Sequence, residues 1–191
     1  MSVNLIKAIQ ENLGYPPLQK IDPNTGQVAA VENEAGKFSQ AAIPAILTGL
    51  YRYVQTDEGA AAVLAGKQTT NWLADIFDDN SKEAIQTIAA YAEQSKQDPV
   101  AKINAIANEA VKVAAENMGD NAGIKEVKVF FSDQKNTILL YLPTDLKMGE
   151  ILHDNTLDDN TSKMEGPISS LMQSIGAAFS NPVTGEEIKN E

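Results

Sequence analysis

The chain has 191 residues and a formal net charge of −11, with 15 basic residues against 26 acidic ones. This balance opposes binding to nucleic acids and to anionic membrane surfaces, because both draw their affinity from Lys and Arg. No cysteine is present, which excludes disulfides, thiolate metal sites and cysteine nucleophiles. The hydrophobic content of 43% is typical of a globular protein.

The N-terminal segment contains no export signal. Residues 1–14 lack the long apolar run and the small-residue cleavage site of a secretory signal peptide. No stretch of the chain approaches the roughly 20 continuous apolar residues that a membrane-spanning helix needs. We therefore expect a cytoplasmic protein with no membrane span.

The first 120 residues show the periodicity of apolar side chains that predicts helices. Gly14 and Gly119 are predicted helix stops, and Thr56 is a predicted N-cap. Pro44 suits only a first helical turn, so its helix either starts near Ile43 or kinks there. Alanines on the apolar stripes predict that helix axes approach closely. The predicted helices cover residues 3–13, 27–35, 39–56, 57–67, 70–80, 82–96 and 100–118.

The periodicity changes after Lys125. Apolar and other residues alternate over 127–131 and again over 138–142, on either side of a short turn near residues 133–136, which predicts a β-hairpin near residues 126–142. Two strands alone are marginally stable in water, so the hairpin must pack on helices or pair with another chain. Pairing with another chain would make its edge a homodimer interface.

A short helix over 144–152, a polar loop and a final helix over 166–181 are predicted to follow the hairpin. The sequence therefore predicts an α+β fold, a mostly helical single domain with one hairpin. Residues 1–120 form its helical region. Residues 121–191 form a hairpin and C-terminal helix region packed against it.

The polar loop contains the only histidine of the chain and is the best candidate for a site. With Asp154 as position one of a calcium-binding loop, Asp158 is position five and Glu165 is position twelve, where such a loop needs oxygen ligands. Asp159 occupies position six, where that loop needs glycine, so the match is partial. The weak candidate metal ligands are Asp154, Asp158, Glu165 and His153. The alternative is a helix-capping loop whose aspartates accept hydrogen bonds from backbone amides.

Catalytic motifs are missing from the sequence. His153 beside Asp154 suggests a hydrolase base, but no serine lies in a G-x-S-x-G pattern and no phosphate-binding glycine loop occurs. We therefore predict a non-enzymatic binding or structural module, as a homodimer or with a protein partner. The alternative function is a divalent-cation-binding module or a metal-dependent hydrolase that uses the loop from His153 to Glu165.

One segment resembles a family of uncharacterised bacterial proteins of the YidB-like kind. The family has Pro-Ala-Leu-Leu-x-Gly-Leu followed by Pro-Glu-Gly-Ala-Ala-Ala-Leu, and Asp57 stands where it usually has the second proline. The resemblance covers residues 41–77 and implies a compact helical fold in a bacterial protein, with no known activity or catalytic residues. The matching residues are Pro44, Ala45, Gly49, Leu50, Glu58, Gly59, Ala60, Ala61 and Ala62.

Overall fold

The computed structural model describes residues 3–29, 31, 33–66, 72–93, 99–119, 121–154 and 157. In these ranges the fold is helical and contains no β-strand. Two single-turn 3₁₀ helices cover Asp78–Asn80 and Thr144–Leu146. The α-helices are α1 (Leu5–Leu13), α2 (Glu34–Tyr53), α3 (Asp57–Leu64), α4 (Trp72–Phe77), α5 (Ser81–Tyr91), α6 (Pro99–Met118), α7 (Ile124–Leu139) and α8 (Met148–Ile151).

Helix α2 is the centre of the fold. Its residues 38–50 are all buried, and it packs against α4, α5, α6 and α7. A helix that is apolar on every side belongs in the interior, surrounded by others. The buried apolar residues of all eight helices belong to one continuous core. No helix among the described residues is both long and apolar enough to cross a membrane.

Alanines are buried on both α2 and α6. Those of α6, including Ala107, Ala110 and Ala114, are fully buried, as are Ala41 and Ala45 of α2. Because an alanine side chain is short, it allows two helix backbones to approach each other closely. Helix α6 packs against α2 in the structure.

The predicted β-hairpin at residues 126–142 is wrong, because Ile124–Leu139 form helix α7. Val129, which alternation would place on one strand face with Val127 and Phe131, is 51% exposed. Gln134 occupies a core position between Phe131 and Ile138. A polar residue at this position interrupts the apolar periodicity by which a helix is predicted from the sequence. The buried residues follow three- and four-residue spacing and are Val127, Phe131, Gln134, Ile138 and Leu139.

The start of α7 explains why this segment becomes a helix. The Glu126 carboxylate accepts a hydrogen bond from the Gly123 backbone N–H at 2.9 Å and satisfies a donor that the helix leaves unpaired. Hydrogen bonds from the backbone of Glu126 itself and from Gly123 lower the pKa of the Glu126 carboxyl, because they favour its charged form. With a helix in place of the hairpin, the strand edge on which the homodimer prediction partly rested does not exist.

Several predicted helix ends are confirmed. Gly14 ends α1 with φ 69°, and Thr56 caps α3 by accepting a hydrogen bond from the Gly59 N–H at 3.0 Å. The predicted start near Ile43 is wrong, because α2 begins at Glu34 and continues through Pro44. The helix predicted over 27–35 is wrong as well, since residues 27–29 are not helical. The final helix predicted over 166–181 lies outside the described residues.

Two buried glutamines connect the ends of helices to distant parts of the chain. The Gln40 side chain accepts a hydrogen bond from the Gln19 N–H at 2.8 Å and donates to the Gln19 and Tyr141 carbonyl oxygens at 3.0 and 2.9 Å. Gln134 accepts from the Leu5 N–H at 3.3 Å and donates to the Val3 carbonyl oxygen at 2.9 Å. We call these bonds the glutamine contacts.

Candidate functional site

The structure describes two of the predicted site residues, His153 and Asp154. Asp158 and Glu165, together with Asp159, lie outside the described residues. Among the residues that are described, no group of three or more His, Asp or Glu side chains is arranged to hold a metal ion. The predicted metal site therefore stays a prediction, and the described chemistry centres on His153.

His153 lies at the edge of an open cleft of about 530 Å³. One wall is the corner between α2 and α3, with Arg52, Tyr53 and Thr56. The second wall is residues 75–80, which end α4 and form the 3₁₀ turn before α5. The third is residues 151–153, at the end of α8. Four separate helices thus contribute to one cavity.

Glycines set the positions of the first two walls. A Cβ atom on Gly49 would overlap Ile76 Cγ2 and lie 3.0 Å from Phe77 Cζ, so α4 can approach α2 this closely only at a glycine. A Cβ atom on Gly59 would overlap the Tyr53 carbonyl oxygen, so the corner between α2 and α3 also needs a glycine.

Asn80 joins the second wall to the third. Its amide nitrogen donates a hydrogen bond to the Ile151 carbonyl oxygen at 2.7 Å and lies 3.2 Å from His153 Nε2. A carbonyl oxygen can only accept, so the amide nitrogen, with two N–H groups, is the atom that faces both partners. In the neutral imidazole Nε2 therefore accepts, and the ring proton is on Nδ1. Asn80 fixes the orientation of the ring.

The cleft is predominantly acidic. Asp75, Asp78 and Asp79 contribute three carboxyl groups, and Arg52 is the one Lys or Arg among the lining residues. The C-terminal end of α2 adds partial negative charge from its last carbonyl groups.

The carboxylates of the cleft contribute to the raised pKa of Tyr53. Burial raises the pKa of Tyr53 above its ordinary value of 10.0, and the nearby carboxylates of Asp75, Glu58 and Asp78 raise it further. Two of those three carboxylates line the cleft. The carboxylates of the second wall therefore affect the pKa of a side chain in the first wall.

Apolar side chains form the floor of the cleft. Ile76, Phe77 and Leu152 are buried, so little of each is in contact with water. Behind the floor, the fully buried Trp72 packs edge-on against Tyr53, with ring centroids 6.3 Å apart. The Trp72 indole N–H donates to Asn108 Oδ1 on α6 at 2.8 Å, which fixes the wall to the core.

The sequence identifies His153 as a candidate but does not predict the residues that surround it in the cleft. Asn80 is 73 residues away from His153 along the chain, and no local pattern predicts that contact. One signal was available, namely the run of Asp78, Asp79 and Asn80 that directly follows the apolar end of α4. A polar run of this kind marks a helix end whose side chains are free to line a surface.

No family model matches the chain, and comparison with curated proteins and with solved structures likewise gives no match.

Proposed function

We propose that the protein is a non-enzymatic bacterial binding module and that the cleft receives a segment of a protein partner. The single observation that carries this proposal is the cleft itself. Its volume of about 530 Å³ lies within the range of roughly 300–1,000 Å³ typical of ligand sites. It also combines an apolar floor with a few oriented polar groups, as such sites do.

The polar groups of the cleft support binding over catalysis. The only hydroxyl groups among the lining residues belong to Tyr53 and Thr56. The Thr56 hydroxyl donates to the Tyr53 carbonyl oxygen at 2.9 Å and accepts from the Gly59 N–H, so it is used as a helix cap. His153 Nε2 is occupied by Asn80. A hydrolase with a side-chain nucleophile needs that nucleophile hydrogen-bonded to its base, and these contacts do not form such a pair among the lining residues.

Location and assembly belong to the same proposal. A cytoplasmic location is part of this proposal, and fractionation of the producing cells would test it. The homodimer stays a prediction, and static light scattering at high protein concentration would test it. A monomer at every concentration would leave the protein partner as the alternative.

The experiment that tests the cleft as a ligand site uses neutral probes, so that charge plays no part. Benzyl alcohol, cyclohexanol and acetanilide are titrated at millimolar concentration into the ¹⁵N-labelled protein. We expect amide shifts to cluster at residues 75–80 and 151–153, together with the ring signals of the single histidine.

A matched pair of variants supplies the control. Asp79→Trp places an indole at the mouth of the cleft, whereas Asp133→Trp places one on exposed α7, outside the cleft. Probe binding should be lost only in the first variant. Shifts spread over the whole surface, or equal binding by both variants, would reject the cleft as the ligand site.

A further inference from the structure

We propose that the cleft recognises the cationic side chain of a lysine or arginine in a basic peptide segment of the partner. This inference rests on the proposed function and adds the chemical class of the ligand. It depends on the volume of the cavity, on its apolar lining residues and on the sign of its charge, which are separate observations.

The mixed apolar and acidic lining of the cavity suits a side chain with an apolar stem and a charged tip. Lysine and arginine consist of an apolar stem and a charged tip, and such side chains bury the stem while the tip keeps polar contacts. The stem would lie on the floor formed by Ile76, Phe77 and Leu152, which are buried apolar residues. A short polar side chain would leave this floor uncovered.

The charges of the cleft favour a cation over an anion. Asp78 and Asp79 are exposed at the rim, and Asp75 is half-buried in the same wall. A guanidinium or ammonium group between these carboxylates forms charge-assisted hydrogen bonds. An anion in the cleft would be near three carboxylates and a single Arg52, and like charges repel.

The aromatic side chain of the first wall adds to the same preference. Tyr53 is half-buried and lines the cleft, and a cation over the face of a tyrosine ring is attracted by the ring quadrupole. The raised pKa of Tyr53 agrees with a negative local potential, because the carboxylates of Asp75 and Asp78 contribute to it. A bound cation should therefore lower the pKa of this phenol.

The test compares peptides that differ only in charge. Three capped pentapeptides, Gly-Gly-X-Gly-Gly with X as lysine, acetyl-lysine or glutamate, are titrated into the ¹⁵N-labelled protein at low salt. Acetylation removes the charge and retains the stem. We expect the lysine peptide to bind at the cleft about fivefold more tightly than the acetyl-lysine peptide, and the glutamate peptide to bind weakest. The difference should shrink in 0.5 M salt, a concentration far above the physiological value, because screening weakens charge pairs.

Paired variants locate the effect. Asp78→Asn with Asp79→Asn should remove most of the preference for lysine, and asparagine suits the left-handed backbone of Asp78, whose φ is 46°. The control, Glu116→Gln with Asp133→Asn, changes the net charge equally at exposed positions outside the cleft and should keep the preference.

The outcomes separate the two proposals. If the acetyl-lysine peptide binds at the cleft as tightly as the lysine peptide, the cationic preference is wrong while the binding module stands. If the control variant loses the preference as well, general attraction to an acidic protein explains it and the inference is wrong. If neither the neutral probes nor any peptide shifts cleft signals, the proposed function fails, and this inference fails with it.

Discussion

The glutamine contacts and the cleft use polar side chains in opposite ways. Gln40 and Gln134 are 1% and 5% exposed, and their amides are bonded to backbone atoms far away in the sequence. Asp78, Asp79 and His153 are exposed at a cavity, and the histidine ring lies beside the amide of Asn80. A buried amide hydrogen-bonded to backbone atoms stabilises the fold, whereas exposed groups around a cavity can contact a ligand.

The largest expected effect follows from removing a glutamine contact. Gln40→Met keeps the size of the side chain but leaves the Gln19 N–H and the Tyr141 carbonyl oxygen without this partner. Because buried unpaired groups are costly, we expect a loss of about 2–4 kcal/mol in the free energy of unfolding, measured by urea denaturation. Gln86→Met on the exposed face of α5 should change it by less than about 0.5 kcal/mol. Equal effects at both positions would contradict the structural role of Gln40.

The next effect concerns the wall of the cleft. Gly49→Ala forces a methyl group against Ile76 and Phe77, and we expect a loss of about 1–3 kcal/mol from overpacking. Ser132→Ala is the control, because it changes an exposed side chain of α7 by one atom and should alter the stability by less than about 0.5 kcal/mol. Unfolding curves that show the same stability for Gly49→Ala and the wild type would mean that α2 and α4 are not in such close contact.

A smaller effect is expected at alkaline pH. The pKa of Tyr53 in the folded state is raised above 10.0, so the folded protein holds this proton more tightly than the unfolded chain does. The resulting stability is fully present below about pH 10 and is lost as pH rises through the folded-state pKa. Tyr53→Phe should therefore flatten part of the alkaline loss of stability.

The cause of that shift can be tested site by site. Asp78→Asn should lower the pKa of Tyr53 and leave Tyr91 unchanged, because the carboxylate near Tyr91 is Asp145. Asp145→Asn should lower the pKa of Tyr91 and leave that of Tyr53 unchanged. Titration of ¹³C-labelled tyrosine by NMR measures both values. A fall at both tyrosines in either variant would argue against these local assignments.

The smallest expected effect concerns the predicted polar loop from His153 to Glu165. Millimolar calcium or magnesium should not change the melting temperature, and Asp158→Asn should leave the melt unchanged. A cation that binds only the folded protein would raise the melting temperature with its concentration. A calcium-dependent rise of several degrees, abolished by Glu165→Gln, would establish the cation-binding alternative instead.

The sequence predicts those helices whose signals are local. The helix end predicted at Gly14 and the cap predicted at Thr56 are confirmed. A left-handed glycine and a capping hydroxyl both act within a few residues of the chain. Helix α7 was missed because alternation over the five residues 127–131 also fits helical spacing at Val127 and Phe131. The exposure of Val129 decides between the two periods, and exposure depends on the packing of α7 on α2 and α3.

The candidate site was predictable only in part. His153 is conspicuous as the single histidine, and its position beside acidic residues is visible in the sequence. Its neighbour Asn80 and the carboxylates of the cleft lie elsewhere in the chain, in α4 and the 3₁₀ helix that follows it. Their proximity to His153 is a tertiary contact, since Asn80 donates to the Ile151 carbonyl oxygen and lies 3.2 Å from His153 Nε2.

The bond between Gln134 and the start of α1 has a consequence for folding during synthesis. The two bonded residues, Leu5 and Gln134, are 129 positions apart. At about 5–20 residues per second, the ribosome makes Gln134 roughly 6–26 s after Leu5. The main packing partner of α1 is α6 (Pro99–Met118), which is also made late, so the apolar face of α1 with Ile6 and Ile9 lacks most of its cover for much of that interval. The first helix to be synthesised therefore completes its packing only when most of the chain has followed it.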